Sequence, residues 1–490
     1  MTDALRDELL RVGETAPPAA VPGDLWARGR RARRRDRVVA GGAVLSVLLV
    51  LGGVGWVLGG PRDHAAPPTA PGAVEAVPSE IRGVPQRLLD NGGPTGSWRA
   101  DVESTDLAVG RASVAFLSGE FQGGAVVVTA ADGAYHLLEL PGFIGSSIGA
   151  SMLSGAPLEL SPDGRQLAYS WWDPAAPFDG PMPSGVRVLD LERGSVRTIA
   201  LKGRDGVLVG AIAWSPDSRW LVWQGRMQTN WTVENTGADG RSELAGRIAP
   251  GARVSQQLPV DRRVSRSLAV DSAGDVLMAR GDGWQTWSAE GPERGFSRVR
   301  GGELTLPSDK SAGAIAADGV GVAFRGVEPG STATFLAAGQ RAAPGKETRV
   351  LVSRALPPER YPAGALVDPL GWLDRDHVIA RIQPILEGGG GGYSFSIGDQ
   401  ELVVMSAPWA AKERFDVVAE VEAEYEEVGG LSEISVAVDL MTLDQPTRDF
   451  PAPEWPWSDE RKVAVYGGGA VAVLAVLVFA VAYRRGRGLG

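Results

Sequence analysis

Cysteine is absent from the 490-residue chain, and histidine occurs only three times. Without cysteine there can be no disulfide, no thiolate nucleophile, no cysteine-bound metal and no lipid-modified cysteine anchor. The histidines, His64, His136 and His377, lack the spacing of a zinc site, so we expect no metal or other cofactor. The absence of cysteine also excludes an extracellular fold that depends on disulfides.

Long helical patterns are scarce, whereas residues that form turns are abundant. The chain contains 66 glycines and 34 prolines, which favours many turns joined by short strands. The length also exceeds that of one ordinary hydrophobic core. We therefore predict an all-β fold.

One short stretch, 158–170, gives the clearest structural pattern, and it reads LELSPDGRQLAYS. Its turn, 161–164, has a proline that presets φ, an aspartate that can hydrogen-bond its own backbone and a glycine that accepts a left-handed conformation. A looser copy, AIAWSPDSRWLVWQG, occupies 211–225. Each copy predicts a strand, a tight turn and a second strand, so the chain contains a tandem repeat of antiparallel units.

Weaker copies of the turn extend the repeat along the chain at intervals of 45 to 57 residues. This spacing suits the four-stranded blade of a β-propeller with extended loops. The sequence predicts six blades, with seven as the alternative because 74–100 could add strands. The six turn positions begin at Ala108, Ser161, Ser215, Asp271, Ala316 and Leu373.

Further strands are predicted at 402–406, 417–421 and 434–441. The pattern VVAEVEAEYEE, at 417–427, would place alternate glutamates on one strand face. It favours an acidic outer strand that resists edge pairing, while a calcium site, a basic partner and a helix are the alternatives. The glutamates are Glu420, Glu422, Glu424 and Glu426.

Two uncharged apolar runs, 38–60 and 463–483, are each long enough to cross a membrane, which takes about 20 helical residues. The first run exceeds the apolar region of about 7 to 15 residues in a typical signal peptide, so we predict an uncleaved anchor. The two chain ends outside these runs carry +6, and subtracting this from the total of −10 leaves −16 between the runs. The intervening segment is therefore strongly acidic.

Basic residues beside a span favour the cytoplasmic side. We therefore predict a plasma-membrane protein with both termini cytoplasmic and its main domain extracytoplasmic. The arginines that give this topology are Arg30, Arg31, Arg33, Arg34, Arg35, Arg484 and Arg485. The predicted order is a basic tail (1–37), a transmembrane helix (38–60), a Pro/Ala-rich linker (61–79), a β-propeller (80–447), a Pro/Trp linker (448–462), a second transmembrane helix (463–483) and a basic end (484–490).

The two strongest repeats, LSPDGRQLAYS and WSPDSRWLVW, resemble the TolB-like and WD-repeat-like β-propeller repeats of bacterial envelope proteins. The tail DLWARGRRARRRDR before a span resembles actinobacterial membrane proteins, some of them linked to sigma-factor regulation. The first resemblance implies a ring of blades with protein or ligand binding on one face, and it implies no chemistry.

From these resemblances we expect a binding or scaffolding module that acts as a transmembrane sensor or adaptor. Its partners would be a protein or envelope ligand on the propeller face and a cytoplasmic protein at the tail. The arginine run lies against a span, which favours topology and lipid contact over nucleic-acid binding. We therefore expect no nucleic-acid partner.

Motifs for catalysis are weak. Residues 145–149 fit G-x-S-x-G and His377 follows them, but a nucleophile elbow needs a parallel sheet with crossover helices. Residues 282–287 resemble part of the Asp-box of sialidases, which is a structural turn. We predict that the protein is not an enzyme, and a propeller hydrolase of glycosidase or peptidase type at the cell surface is the alternative.

The adjacent tryptophans Trp171 and Trp172 cannot both face the same side of a strand. Tryptophans in such repeats fill the wedges between blades. One of this pair is nevertheless predicted to reach a loop or a blade face, where it would be a platform for a ligand such as a sugar ring.

Overall fold

The computed structural model describes residues of one compact unit, Thr69–Gly490. The described stretches are 74–84, 105–118, 124–143, 158–173, 183–201, 206–227, 243–258, 267–280, 283–288, 291–298, 311–327, 334–340, 349–351, 356–385, 399–422 and 431–453.

Almost all regular structure in these stretches is β-strand. The first thirteen strands are β1 Glu80–Ile81, β2 Ala112–Ser118, β3 Gly124–Thr129, β4 Tyr135–Leu138, β5 Leu158–Leu160, β6 Gln166–Trp172, β7 Ser184–Asp190, β8 Ser195–Leu201, β9 Val207–Trp214, β10 Leu221–Met227, β11 Glu243–Ile248, β12 Val254–Leu258 and β13 Ser267–Val270. The others are β14 Val276–Arg280, β15 Gly283–Ser288, β16 Gly291–Arg298, β17 Ser311–Ala312, β18 Ala314–Ile315, β19 Gly321–Val327, β20 Thr334–Gln340, β21 Arg349–Leu351, β22 Ala365–Trp372, β23 His377–Pro384, β24 Gln400–Ser406, β25 Phe415–Val421 and β26 Leu431–Val436. In the described residues the only helix is the 3₁₀ turn Val438–Leu440, so the all-β prediction is confirmed.

The strands pair as four-stranded antiparallel meanders. Meander 1 contains β26, β2, β3 and β4, meander 2 contains β5–β8, and meander 3 contains β9–β12. Meander 4 contains β13–β16, meander 5 contains β18–β21, and meander 6 contains β22–β25. Meanders 2 and 3 form one eight-stranded sheet because their outer strands β8 and β12 pair in parallel. The short β17 pairs in parallel with β13 and leads into meander 5.

The turn between β5 and β6 has the predicted chemistry. The amide of Gln166 donates to Ser161 Oγ at 2.9 Å, and that hydroxyl donates to the Asp163 carboxylate at 2.6 Å. Gly164 has φ +73°, the left-handed conformation that glycine allows. In the second copy Ser218 takes the same place with φ +59°, so the turn persists without glycine.

The weaker turn positions also lie between the first two strands of their meanders. The Asp271 carboxylate accepts hydrogen bonds from the amides of Ala273 and Asp275 at 2.9 and 2.8 Å, and Ala316 and Leu373 start equivalent turns. Ala108 precedes β2, and the described residues 105–111 contain no strand before it. The reason is that the inner strand of meander 1 comes from the other end of the chain.

Both ends of the domain take part in closing it. The late strand β26 pairs with β2, with Val436 opposite Val114, and completes meander 1. The early strand β1 pairs in parallel with β25, with Glu80 opposite Glu420. Contrary to the sequence expectation, β25 is therefore not a free edge strand, although Glu420 is exposed. Its edge is covered because the chain end supplies a fifth strand.

Five buried apolar clusters join neighbouring meanders, in the pairs 1 with 2, 2 with 3, 3 with 4, 5 with 6 and 6 with 1. Representative pairs are Leu117 with Tyr169, Val186 with Val209, Val222 with Val276, Ala323 with Val378, and Ile379 with Phe116. Meanders packed in this order, with β17 linking meander 4 to meander 5 and β26 completing meander 1, have the radial repetition of a β-propeller. The number of blades stays a prediction, because 85–104 lie outside the described residues.

Gly164→Ala is expected to destabilise the fold far more than Gly251→Ala. Both glycines have positive φ, +73° and +72°, so each alanine carries a backbone penalty of about 1 to 2 kcal/mol. A Cβ on Gly164 would lie 2.1 Å from the carbonyl oxygen of Ala112 in meander 1, whereas one on Gly251 meets nothing within 4 Å. Denaturant unfolding should show an extra loss of about 2 kcal/mol for Gly164→Ala. Equal losses would show that meanders 1 and 2 are not in close contact at this turn.

Candidate functional site

The two candidate platform tryptophans lie at the end of β6 and face opposite sides of the strand. Trp172 is only 5% exposed, whereas Trp171 is partly buried. On β7, Ser184 is the cross-strand neighbour of Trp172, and Gly185 is that of Trp171. This geometry leaves Trp171 as the member of the pair nearer to solvent.

A guanidinium covers the indole ring of Trp171. Arg187 lies 4.1 Å from the ring centroid, a cation–π distance. Arg187 also donates to the carbonyl oxygen of Pro141 at 2.5 Å, and the Tyr169 hydroxyl donates to the same oxygen at 3.2 Å. Phe143 packs edge-on against Tyr169 with ring centroids 5.9 Å apart. A ligand that stacked on this face of Trp171 would have to displace Arg187.

Tyr169, which is buried, and Tyr135, which is partly buried, make the fold sensitive to alkaline pH. Burial raises the pKa of Tyr169 to about 12, and it raises the pKa of Tyr135 to about 12 as well. An unfolded tyrosine titrates near pH 10, so between about pH 10 and 12 the unfolded chain loses protons that the folded chain keeps. Their contribution to stability is therefore complete below about pH 10 and is lost as the pH rises through about 12.

Unfolding measured across this pH range should show stability falling as pH rises. The Tyr135→Phe/Tyr169→Phe variant removes both titrating hydroxyls, so its loss of stability over the same range should be shallower. Phenolate absorbance of the folded protein checks the assignment directly. A double variant with an unchanged slope would show that these tyrosines do not carry the effect.

The residues of the hydrolase alternative are not brought together in the described structure. The G-x-S-x-G stretch, 145–149, lies outside the described residues. His377 begins β23, where its Nδ1 lies 2.9 Å from the Asp374 carboxylate of the preceding turn. Burial opposes ionisation of Asp374, but hydrogen bonds from the Asp376 amide and His377 outweigh it and lower its pKa. His377 and Asp374 thus pair with each other and stabilise the turn before β23.

The described stretches contain no group of three or more His, Asp or Glu side chains placed to hold a metal ion. They also contain no helix long and apolar enough to cross a membrane. Both predicted spans, 38–60 and 463–483, and the topology arginines Arg30, Arg31, Arg33, Arg34, Arg35, Arg484 and Arg485 lie outside the described residues.

An ionic cluster links meanders 5 and 6. Asp368 on β22 accepts a hydrogen bond from Arg381 on β23 at 2.6 Å, and it forms a second ion pair with Arg325 on β19. Asp368 is 7% exposed and Arg381 is 8% exposed. One carboxylate shared by two guanidiniums at so little exposure fixes the relative position of two sheets.

A second charged group lies between β24 and the segment 356–364, which leads into meander 6. Arg360 donates through Nε to Glu401 at 3.2 Å and through Nη2 to the other carboxylate oxygen, while the Tyr361 hydroxyl also donates to Glu401. The hydrogen bond to Glu401 is the largest influence on Arg360 and raises its pKa, while burial, the largest influence on Tyr361, raises the pKa of its hydroxyl. This double pairing holds 356–364 against β24.

A pocket of about 630 Å³ opens beside this group, between the 356–364 segment and β25. We call it the meander 6 pocket. Its lining residues are Pro357, Glu359, Arg360, Phe415, Asp416 and Val417. It combines apolar side chains with carboxylates and a guanidinium, so it can offer a ligand both apolar contact and charge pairing.

This pocket was not predicted from the sequence. The only local signal is that Arg360-Tyr361 follows a proline pair and precedes the strand β22, a pattern common to many surface turns. Glu401 stands 40 residues further on, and nothing in its neighbours marks it as the partner. Only the folded chain brings the two segments together.

The sequence matches no protein-family model, and a comparison with curated proteins found no match. Several solved structures are similar at low identity. TolB from Acinetobacter baumannii is 14% identical with a TM-score of 0.35, and the match covers 66% of each chain, just under two thirds of TolB. An oligogalacturonate lyase in complex with manganese is 11% identical with a TM-score of 0.38, over 66% of this chain and 77% of that one. A nidogen/laminin complex chain is 12% identical with a TM-score of 0.33, over 66% and 98%. TM-scores this low carry no argument, so the architecture rests on the strand pairing.

Proposed function

We propose that this protein is a membrane-anchored, extracytoplasmic β-propeller of six blades that binds a protein or another envelope ligand. The six meanders supply the blades, and the two apolar runs supply the anchors. The domain would act as a binding or scaffolding module and, through its cytoplasmic tail, as a transmembrane sensor or adaptor of the kind linked to sigma-factor regulation. The observation that carries the proposal is the position of the two ends of the domain.

The two ends of the domain lie side by side. Pro78 and Arg448 form a parallel bridge, in which the Ser79 amide donates to the Arg448 oxygen at 2.9 Å and the Arg448 amide donates to the Val77 oxygen at 2.8 Å. Ser79 Oγ also donates to the Asp449 carboxylate at 2.5 Å. We call this contact the terminal clasp. It brings the chain that follows one apolar run next to the chain that precedes the other.

The linkers are long enough for both apolar runs to lie in one membrane. About 17 residues separate the first run from the clasp and about 14 separate the clasp from the second run, which allows extended reaches of about 55 and 45 Å. A helix needs about 30 Å to cross the hydrocarbon core. A domain clasped at one point can therefore stand on two adjacent helices.

Binding is proposed in preference to catalysis because binding requires only a rigid scaffold with loops. The cores between neighbouring meanders and the closure by β1 and β26 provide that rigidity. Loop-borne sites on a rigid scaffold are the usual way in which such folds acquire function. No described observation favours the hydrolase alternative.

Reporter fusions to the full-length chain test the topology. Alkaline phosphatase inserted at Gly251, in an exposed turn, is expected to be active, whereas the same enzyme fused after Gly490 is expected to be inactive. A fluorescent protein that matures only in the cytoplasm should show the opposite pattern. Phosphatase activity at both positions would contradict the two-span arrangement.

Crosslinking in native membranes followed by mass spectrometry tests the binding role. Deletion of 2–24, which keeps the arginine run, should leave insertion and outer partners intact and should remove any cytoplasmic partner. An unchanged set of cytoplasmic partners would make the tail a topology signal alone. Turnover of glycoside or peptide substrates by the purified full-length protein would support the hydrolase alternative.

A further inference from the structure

The charges of the meander 6 pocket do not balance. Arg360 is paired with Glu401, and Asp416 is paired with Arg414. Among the described residues Glu359, the third charged group of the lining, has no ion-pair or hydrogen-bond partner, and its side chain is exposed. The Glu359 carboxylate can therefore pair with a positive charge on a ligand that enters the pocket.

The remaining lining is apolar. Pro357, Phe415 and Val417 are each partly buried, and the Phe415 ring is held edge-on against Tyr361 with centroids 6.2 Å apart. Because Tyr361 is itself tied to Glu401, the aromatic wall is fixed in place. The pocket thus offers a fixed apolar wall in the same lining as an unpaired carboxylate.

We propose that the meander 6 pocket binds an arginine side chain from an extended segment of a partner protein. An arginine has an apolar stem that can lie along Pro357 and Val417, and a planar guanidinium that can pair with Glu359 and stack on Phe415. This proposal rests on the proposed binding function and assigns that function a site and a ligand chemistry.

The same charges disfavour an anionic ligand. The one guanidinium of the lining, Arg360, is already neutralised by Glu401, and the Asp416 carboxylate is paired with Arg414, so Glu359 leaves one unbalanced negative charge. A phosphate or an acidic peptide would meet net negative charge with no uncommitted cation among the described lining residues. A cation with an apolar stem matches both parts of the lining.

The test uses full-length protein in nanodiscs and fluorescence anisotropy. The probes are two labelled pentapeptide amides, acetyl-Ala-Ala-Arg-Ala-Ala and the same peptide with citrulline in place of arginine. Citrulline keeps the shape and removes the charge. We expect the arginine peptide to bind about three- to fivefold more tightly, the upper part of the range for one solvent-accessible ion pair, and the difference to shrink as salt is added.

Glu359→Gln should reduce the affinity for the arginine peptide to that for the citrulline peptide. Glu420→Gln is the matched control, since Glu420 is an exposed carboxylate on β25 outside the pocket lining. It removes the same charge and should leave the difference between the peptides intact. Both substitutions lie on exposed side chains, and unfolding curves confirm that both proteins are folded.

Three results would overturn the proposal. These are equal or undetectable binding of the two peptides by the unsubstituted protein, no effect of Glu359→Gln, and an equal loss in Glu420→Gln. If membrane crosslinking still finds outer partners in that case, the binding role stands and only this site is wrong. If no outer partner is found either, the proposed function fails with it.

Discussion

Asp368→Asn is expected to lower the free energy of unfolding by about 3 to 5 kcal/mol, the usual loss when one partner of a buried ion pair is removed. The asparagine keeps the size of the side chain and removes the negative charge. Arg381 and Arg325 would then face a neutral amide at a site where Asp368 and Arg381 are 7% and 8% exposed. Because Arg325 belongs to meander 5 and Asp368 to meander 6, the loss should fall on the contact between them.

Denaturant unfolding of the full-length protein in detergent measures this loss. Glu192→Gln is the control, because its ion pair with Arg165 spans 3.4 Å between two exposed side chains. An exposed pair contributes about 1 kcal/mol at most, so this variant should be nearly as stable as the original protein. Similar losses in the two variants would mean that the Asp368 cluster is not buried as described.

A disulfide is expected to form across the terminal clasp in the variant Ser79→Cys/Asp449→Cys. The two side chains already touch, with 2.5 Å between Ser79 Oγ and Asp449 Oδ1, on two segments joined by the parallel bridge between Pro78 and Arg448. The chain has no cysteine of its own, so no other pairing can compete. The bond would close a loop of roughly 370 residues, and stabilisation could reach about 5 kcal/mol, the top of the observed range.

The same variant reports on the compartment, since disulfides form outside the cytoplasm. Electrophoresis of protein trapped with a thiol reagent in living cells should show the oxidised form, and the single-cysteine variants are the controls. A pair that oxidises in the purified protein but stays reduced in cells would contradict the extracytoplasmic placement. A pair that oxidises in neither setting would contradict the clasp.

The local turns were predictable because their chemistry is contained in a few adjacent residues. Proline, aspartate and glycine at 161–164 specify both the hydrogen bonds of Asp163 and the positive φ of Gly164. Adjacent side chains on a strand alternate, so opposite faces for Trp171 and Trp172 also followed from the sequence. The residues that cover each face belong to the neighbouring sheet, so they could not be predicted from the sequence.

The closures and charged clusters could not be predicted because their members are distant in the chain. β26 and β2 lie about 320 residues apart, and no residue in either strand specifies the other. The sequence expectation of an acidic edge at β25 failed for the same reason, since β1 comes from the opposite end. Asp368 looks like an ordinary strand residue until folding places Arg325 beside it.

The terminal clasp also determines how the domain responds to mechanical force. Its two segments run in parallel through the bridge between Pro78 and Arg448, and one continues toward the start of the chain while the other continues toward its end. A pull that draws the two ends apart along the strand direction loads the main-chain bonds at Ser79 and Arg448 in shear, so they must break together. A pull across the strands would instead open them one at a time. Relative motion of the two chain ends that leave the clasp is therefore transmitted into the domain along one direction, whereas the clasp opens readily along the other.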